Sequence, residues 1–382
     1  MARLTVDILG LHFPNPILCG PGPQADGEAD LLGALSGGAG GLVARTVAPG
    51  PVTPPAEPSV VAYGKDGLLS NVGPSTRPVA DWLANIYPKV AGAAGQRGVP
   101  LIASLTGTAG EVPTLGPALV AAGAQALEYA TSYLSWHDAV AALKALRESV
   151  TVPVIAKLSL AHGEDIAERA AEVEPYVDAF TCMARFGPVL DIDVDEGGKP
   201  RLGGPDGYGW LSGTPVHPIA VRTVFAVANR THKPVIASGG AMSTRDVIEF
   251  LQVGASLVQV TTAAIIRGPA IYGELAMGLG AWLDDHALGG VAEIQSAYLQ
   301  KYGHGQRVIT VEEEPPVLAE AQCIQCGICD DVCYYDAIAA PRRHLPVITA
   351  ELCFQCGLCV SACPTGALSF RPRDELTKLP KP

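Results

Sequence analysis

Residues 323–333 read CIQCGICDDVC and residues 353–363 read CFQCGLCVSAC, with Pro364 following the second run. Each run spaces four cysteines as C-x2-C-x2-C-x3-C, and the two runs hold eight of the ten cysteines of the chain. This spacing lets successive thiolates wrap one face of an iron–sulfur cluster, and Gly327 and Gly357 place a residue without a Cβ in each tight turn. Structural zinc and disulfides are the alternatives. Zinc prefers two ligand pairs far apart, and nothing else in the sequence suggests secretion.

The doubled motif resembles that of bacterial two-cluster ferredoxins, which implies two [4Fe–4S] clusters that carry electrons. In those proteins the fourth cysteine of each run ligates the other cluster. One cluster would then be bound by Cys323, Cys326, Cys329 and Cys363, and the other by Cys353, Cys356, Cys359 and Cys333. We expect a ferredoxin-like α+β domain at residues 323–371, a linker at 306–322 and a tail at 372–382.

The composition predicts a large buried core and argues against polyanionic partners. Of 382 residues, 48% are hydrophobic and only 17% charged, enough for one large domain and a small one. A formal net charge of −12 disfavours binding to nucleic acid or anionic membrane surfaces. We find no signal peptide and no apolar stretch long enough to span a bilayer. We therefore expect a soluble, cytoplasmic protein.

Before residue 305 the chain alternates short apolar runs with helical segments, including Asp138–Ser149, Glu164–Val173 and Thr244–Gln252. Ser243 and Asp246 resemble a capping start for the last of these helices. The apolar runs read as strands buried on both faces of a parallel sheet: Pro16–Cys19, Gly41–Arg45, Leu101–Leu105, Ala126–Ala130, Val154–Leu158, Val177–Thr181, Val235–Ser238 and Leu257–Thr261. Eight such units over roughly 300 residues predict an α/β TIM barrel at residues 1–305. An open doubly wound sheet is the alternative.

Two strand ends carry the residues expected of a phosphate site. Strand 7 ends in Ser238-Gly239-Gly240, and strand 8 ends in Thr261-Thr262. Glycine turns let backbone N–H groups approach phosphate oxygens, and a following helix N-terminus favours negative charge. In TIM barrels a phosphate is often bound after strands 7 and 8. Ordinary turn chemistry is the alternative for the glycine pair alone.

Further short segments resemble the dihydroorotate and dihydropyrimidine dehydrogenase family. The resemblance extends over nearly the whole chain and is closest to the iron–sulfur, pyrimidine-binding part of dihydropyrimidine dehydrogenase, a separate subunit in some bacteria. The segments that carry it are Asn15-Pro16-Ile17-Leu18, Arg45-Thr46-Val47, Asn71-Val72-Gly73, Leu127-Glu128, Lys157-Leu158-Ser159, Leu211-Ser212-Gly213, Ser238-Gly239-Gly240 and Gly254-Ala255-Ser256.

This resemblance implies FMN over the barrel mouth. Lys157 would lie beside the N1–C2=O edge of the flavin, where a cation stabilises the charge that develops when the ring accepts a hydride. A surface lysine is the alternative reading of that residue. Gly213, Gly239, Gly240, Thr261 and Thr262 would hold the phosphate. The other flavin-binding residues implied are Arg45, Thr46, Asn71, Ser104, Ser212 and Ser238. The resemblance also implies a homodimer.

The segments that handle the substrate in that family differ here. After strand 4 the family has Asn-x-Ser-Cys-Pro or a similar stretch, whose cysteine or serine handles the substrate proton. This chain has Ala130 at the asparagine and Tyr133 at the cysteine. Arg45 replaces a common lysine, and of the pyrimidine-reading asparagines only Asn71 remains. A site that loses such hydrogen-bond partners loses discrimination for a ring amide, so pyrimidine reduction is disfavoured.

Several side chains are candidates to replace the missing groups. A phenol donates a proton to a developing carbanion, so Tyr133 is the expected catalytic acid, with packing against the flavin as its alternative role. His137 and Asp138 are the other candidate acids, or a pair that caps a helix. Arg185 could hold a substrate carboxylate or phosphate by a bidentate contact, or form a loop salt bridge.

Together these features predict an oxidoreductase that depends on FMN and iron–sulfur clusters and acts on a C=C bond next to a carbonyl in a small molecule. Lys157 and Tyr133 are the expected catalytic residues. We find no G-x-G-x-x-G after a strand, so a ferredoxin or an NAD(P)H-oxidising flavoprotein would supply electrons through the clusters. The alternatives are an electron-transfer subunit with a non-catalytic barrel and a pyrimidine reductase subunit of the dihydropyrimidine dehydrogenase type.

Overall fold

The computed structural model describes residues 2–163, 165–303 and 314–370. The chain divides into two compact units, Met1–Gln306 and Arg307–Pro382. None of the helices in the described ranges has the length and apolar character needed to cross a membrane.

The first unit is a closed barrel of eight parallel strands, which confirms the predicted TIM barrel. Its strands are β1 Ile17–Cys19, β2 Gly41–Val47, β3 Leu101–Leu105, β4 Ala126–Ala130, β5 Val154–Leu158, β6 Ala179–Cys182, β7 Val235–Ser238 and β8 Ala255–Val260. Parallel pairing of β8 with β1, at Val258 and Ile17, closes the barrel. Every residue of these strands is buried, as expected for strands enclosed on both faces. Two predicted strands are shifted by two residues: β6 starts at Ala179 and β8 at Ala255.

The helices of this unit follow the strands around the barrel. They are α1 Glu28–Ser36, α2 Tyr87–Gln96, α3 Val112–Ala121, α4 Trp136–Ser149, α5 Ile166–Val173, α6 His217–Arg230, α7 Thr244–Gln252, α8 Thr262–Arg267, α9 Ile271–Asp285 and α10 Ala297–Tyr302. Val79–Asp81 and a π-helical turn at Trp82–Ile86 lead into α2. Ser243 and Asp246 form the predicted capping box of α7. Helix α4 begins two residues earlier than predicted, because the Ser135 hydroxyl accepts a hydrogen bond from the Asp138 N–H.

Two insertions pair to form a four-stranded antiparallel sheet that the sequence patterns did not predict. Its strands are Val60–Tyr63 and Gly67–Ser70, which follow β2, and Phe186–Leu190 and Tyr208–Gly213, which follow β6. We call it the insert sheet. The remaining strand pairs of this unit are Val6–Ile8 with Leu11–Phe13 and Ile192–Asp193 with Lys199–Pro200. Because β2 and β6 end at the same barrel face, insertions after them border the barrel mouth.

The second unit repeats one small pattern twice. Strand Val317–Leu318 pairs with Leu368–Ser369, strand Ile338–Ala339 pairs with Val347–Ile348, and each cysteine run contains a short helix, α11 Ile328–Asp331 or α12 Leu358–Ala362. Gly327 and Gly357 start these helices with φ near +80°, so both occupy the left-handed region that favours glycine.

The predicted linker at 306–322 requires a correction. Residues 317–318 pair with the last strand of the second unit, so this unit begins before Cys323. Two hydrophobic residues are too short a run to signal a strand, which is why composition alone assigned them to the linker. Residues 306–313 of the linker and the tail at 372–382 lie outside the described residues.

Candidate functional site

A cavity of about 190 Å³ lies between the carboxyl ends of the barrel strands and the insert sheet. The barrel contributes Arg45, Thr46, Ala130, Lys157, Ser238 and Gln259, and the loops after β4 and β6 contribute Ser132, Tyr133, Met183, Ala184 and Arg185. The insert sheet contributes Val60, Leu68, Ser70, Phe186, Leu211 and Ser212. This is the barrel face at which TIM-barrel enzymes carry their active sites.

Lys157 projects into this cavity from β5, and two side chains of neighbouring barrel strands hold its amino group in place. Its Nζ donates to Oε1 of Gln259 at 2.6 Å and lies 3.3 Å from Oε1 of Glu128, which is fully buried. The Glu128 carboxylate also accepts from Thr181 Oγ1 at 2.7 Å and from Gln259 Nε2. Burial lowers the pKa of Lys157 below its ordinary value, while Glu128 opposes this shift. The result is a buried amino group that two hydrogen-bond partners hold in place.

The glycine turn after β7 and the start of α8 form a cradle at one side of the cavity. Gly239 and Gly240 have φ of +120° and +79°, and a Cβ on Gly240 would lie 2.7 Å from the carbonyl oxygen of Gly213. Thr262 begins α8, where the first N–H groups of a helix have no intrahelical acceptor. The Thr262 hydroxyl lies 3.0 Å from that of Ser212. Backbone N–H groups and two hydroxyls of this kind suit a phosphate.

Three predicted flavin-binding residues do not line the cavity. Gly213 lies behind the glycine turn, where a Cβ would meet the carbonyl oxygen of Asp66 at 2.1 Å. Ser104 is fully buried and its hydroxyl lies 2.9 Å from that of Thr46, which does line the cavity. The third, Asn71, lies on an extended segment and points to the face opposite the cavity.

Asn71 follows the insert strand Gly67–Ser70, in which alternate residues face the cavity. Leu68, Ser70 and Val72 line it, whereas the Asn71 amide donates to the carbonyls of Ala56 and Gly203, each at 3.0 Å. Successive side chains of an extended segment point to opposite faces, so the residue available to a ligand is Ser70. Asn71 therefore connects two loops and does not face the cavity.

Arg185 and Tyr133 both line the cavity and contact each other. The Arg185 guanidinium carbon lies 4.5 Å from the centroid of the Tyr133 ring and 3.8 Å from that of the Trp210 ring. Arg45 is buried and donates to the carbonyl of Gly73 at 2.6 Å. Burial lowers the pKa of both guanidinium groups.

The other candidate acids, His137 and Asp138, do not line the cavity. The Asp138 carboxylate accepts from the Ser135 hydroxyl at 2.7 Å at the start of α4, so the cap interpretation fits this residue. His137 is exposed and does not line the cavity. Cys19 and Cys182 are buried, and burial raises the pKa of the Cys19 thiol to about 11 and that of the Cys182 thiol further still.

Sequence reasoning missed the anchoring roles of Glu128 and Gln259, as well as Met183 and the apolar lining from the insert sheet. A signal existed for the first two. Each is a polar residue inside an otherwise apolar buried strand, ALEYA and ASLVQV, and a buried polar side chain requires a partner. Lys157 in VIAKL is a third polar residue of this kind, and all three belong to one network.

In the second unit the eight cysteines form two groups around two small cavities. Cys323, Cys326, Cys329 and Cys363 line one, and Cys333, Cys353, Cys356 and Cys359 line the other. The last cysteine of each run therefore lies with the first three of the other run, which is the grouping that the ferredoxin motif predicted. None of the eight forms a disulfide. Four thiolates around one cavity form the ligand set of a [4Fe–4S] cluster.

Each of the two units of this chain is similar to a known protein family. A family model described as dihydroorotate dehydrogenase matches residues 120–283, and a 4Fe-4S dicluster domain model matches residues 322–367. A putative dihydroorotate dehydrogenase A (fumarate) from Aeropyrum pernix is 30% identical over 301 residues, which cover 74% of this chain and 92% of that protein. The chain belongs to the dihydroorotate dehydrogenase family.

Catalytic subunits of dihydroorotate dehydrogenase B (NAD(+)) are also similar to this family member. The subunit from Anoxybacillus flavithermus is 30% identical over 329 residues, covering 81% of this chain and 99% of that protein. The one from Thermoplasma acidophilum is 27% identical over 299 residues, covering 75% and 95%. Dihydroorotate dehydrogenases are flavin oxidoreductases, and this chain adds a 4Fe-4S ferredoxin-like domain to such a barrel.

The residues of the cavity fit the FMN of this dihydroorotate dehydrogenase family. The cradle at Gly239, Gly240 and Thr262 would hold the phosphate, and Lys157 supplies a buried cation at the barrel centre. A cation held by Glu128 and Gln259 needs no reorganisation when charge develops beside it, which is the requirement of electrostatic preorganisation.

Proposed function

We propose that this protein is an FMN- and iron–sulfur-dependent oxidoreductase that reduces, or in reverse forms, a C=C bond next to a carbonyl. The observation that carries the proposal is the anchored Lys157 in a mouth cavity that also has a phosphate cradle. Bound there, FMN supplies hydride transfer. The second unit supports the proposal because it offers two four-thiolate sets for electron transfer.

Within the barrel, Lys157 would stabilise the negative charge that builds up beside it, since its Nζ is fixed by Gln259 and Glu128. The cradle at Gly239, Gly240 and Thr262 would orient the bound group through its phosphate. Tyr133 would act on the substrate: reduction adds a hydride to one carbon of the double bond and a proton to the other, and the Tyr133 hydroxyl would donate that proton.

Reduction of one double bond consumes two electrons and two protons, so the reaction requires an electron donor. We propose a reduced ferredoxin or an NAD(P)H-oxidising flavoprotein, with one [4Fe–4S] cluster in each four-cysteine set carrying the electrons singly. The relatives named as catalytic subunits of NAD(+)-linked enzymes support a separate partner for the nicotinamide. We further propose a cytoplasmic homodimer, as the family resemblance implies.

The proposal is tested by reoxidation. The anaerobic, photoreduced holoprotein is mixed with enones, enoates and uracil, and flavin absorbance near 450 nm is followed. We expect at least one unsaturated compound to restore the oxidised spectrum over many turnovers when donor is present. If none of these compounds reoxidises the flavin, the proposal that the protein reduces a C=C bond is wrong.

That negative result would favour a second candidate, an electron-transfer subunit whose barrel holds FMN without catalysing substrate reduction. Tyr133 at the position of the family's cysteine or serine is the observation behind it. A pyrimidine reductase is supported less, because the described lining of the cavity contains no asparagine and its amide-bearing residue, Gln259, is engaged with Lys157 and Glu128.

A further inference from the structure

The charged side chains that line the cavity are all cations. The cations are Lys157, Arg45 and Arg185, and no aspartate or glutamate is among the described lining residues. Lys157 is compensated from below by Glu128. In the described ranges neither arginine has a carboxylate oxygen within 4 Å: the Asp26 carboxylate acts on Arg45 from a longer distance, whereas Arg185 has no carboxylate beside it. Burying such charge is costly unless a partner arrives to pair with it.

Arg185 is held as a ligand-binding group would be. Cation–π contacts with the rings of Tyr133 and Trp210 restrict its guanidinium, and contacts of this kind use the face of the group rather than its N–H edge. Its Nε is buried without a hydrogen-bond partner, and Nη1 reaches only the Val72 carbonyl at 3.4 Å. A fixed planar fork with unused donors matches a carboxylate, which accepts two parallel hydrogen bonds.

The lining between the arginines and the insert sheet is mainly apolar. Val60, Leu68, Val72, Phe186 and Leu211 line it, and the small polar groups nearby are the hydroxyls of Ser70 and Ser132. A ring with several amide groups would leave most of its donors and acceptors unpaired against this surface, which penalises binding. A hydrocarbon body would not.

We infer that the substrate is an α,β-unsaturated monocarboxylate with an apolar body, and that its carboxylate binds to the edge of Arg185, with Arg45 adding positive potential. This inference rests on the proposed function and names its substrate class. The apolar body lies against the insert sheet, and the double bond is conjugated with the carboxylate that Arg185 holds.

Isothermal titration calorimetry on the oxidised holoprotein tests this inference without turnover. The probes are trans-2-hexenoate, its neutral isostere trans-2-hexenamide, and uracil. We expect the acid to bind at least about 10-fold tighter than the amide, because charge-assisted pairs are about twice as strong as neutral hydrogen bonds. Arg185→Gln should raise the Kd of the acid about 10- to 100-fold and leave that of the amide nearly unchanged. Arg185→Lys keeps the charge but loses the fork, and should fall between them.

Arg230→Gln is the matched control. Arg230 is exposed on α6 and paired with Glu168 away from the cavity, so the variant makes the same change in net charge without touching the site. We expect its Kd values to equal those of the unaltered protein. Equal binding of acid and amide, no binding of the acid, or tighter binding of uracil would each overturn the inference, and all three are measured on the unaltered chain even where Arg185→Gln fails to fold.

The results also separate this inference from the proposed function. Tight, Arg185-dependent binding of the acid with no turnover would refute the reductase and leave the carboxylate site standing. Turnover of neutral enones with no preference for acids would support the reductase and refute the carboxylate site.

Discussion

Replacing Glu128 by glutamine should destabilise the barrel strongly although the two side chains have nearly the same shape. Glu128 is fully buried, receives hydrogen bonds from Thr181 and Gln259, and provides the counter-charge for Lys157. The substitution removes the negative charge that balances the buried Lys157 ammonium group, and it turns one of the two carboxylate oxygens into an N–H donor. Removing one partner of a buried ion pair costs about 3–5 kcal/mol, so we expect a loss of that size at pH 7.

The pH dependence of that loss has a definite sign. Burial lowers the pKa of Lys157 in the folded state, and without Glu128 nothing opposes the shift. Between the folded and unfolded pKa values the unfolded chain binds more protons, so stability rises with pH through that window. The destabilisation by Glu128→Gln should therefore be smaller at about pH 9.5 than at pH 7, because deprotonation of Lys157 removes the uncompensated charge.

Urea unfolding followed by tryptophan fluorescence measures the effect. All four tryptophans, Trp82, Trp136, Trp210 and Trp282, belong to the first unit, so the signal reports the barrel. Lys157→Met added to Glu128→Gln removes the unpaired charge and should recover a large part of the loss. Glu168→Gln, at an exposed pair with Arg230, is the control and should leave the midpoint unchanged. If Glu128→Gln behaves like this control, the anchored-cation description is wrong.

Three further predictions concern the site. Tyr133→Phe should lower turnover about 10²- to 10⁴-fold at unchanged flavin content if the phenol donates the proton, and normal steady-state rates would remove that role. Gly240→Ala introduces a Cβ 2.7 Å from the Gly213 carbonyl at φ +79°, so purified protein should have lost most of its FMN by absorbance; full occupancy would contradict the cradle. In apo-protein, a thiol reagent at neutral pH should label the motif cysteines other than the buried Cys359 readily, and should reach Cys19 and Cys182 only after denaturation, since burial keeps those two protonated and inaccessible; rapid labelling of Cys19 and Cys182 in the native state would count against their burial.

The parts of the fold that sequence patterns predict are those fixed by local chemistry. Strands such as Leu101–Leu105 are continuous apolar runs because both faces are buried, and α7 begins where Ser243 and Asp246 cap it. The insert sheet was missed because its strands, such as Gly67–Ser70, are short and pair with a segment more than 130 residues away, at Tyr208–Gly213. Such pairings depend on tertiary context rather than on local propensity.

In the candidate site, too, some positions follow from the local sequence and others depend on tertiary context. Lys157 lies near the carboxyl end of β5, and Tyr133 and the glycine turn follow β4 and β7, so the order of the elements predicts that all three lie at the barrel mouth. Asn71 could not be placed, because a shift of one residue along an extended segment exchanges the cavity face for the opposite one. Trp210 lies on one strand of the insert sheet, and Arg185 directly precedes the strand that pairs with it. Only the fold brings these two residues together.

An anaerobic reductive titration of the purified chain, followed by absorbance and electron paramagnetic resonance, tests most directly the claim that one chain joins a flavin barrel to two clusters. We predict uptake of about four electrons per chain, two by FMN and one by each of two [4Fe–4S] clusters, with iron and acid-labile sulfide in equal amounts. Uptake of only two electrons without iron, or zinc in place of iron, would contradict the account.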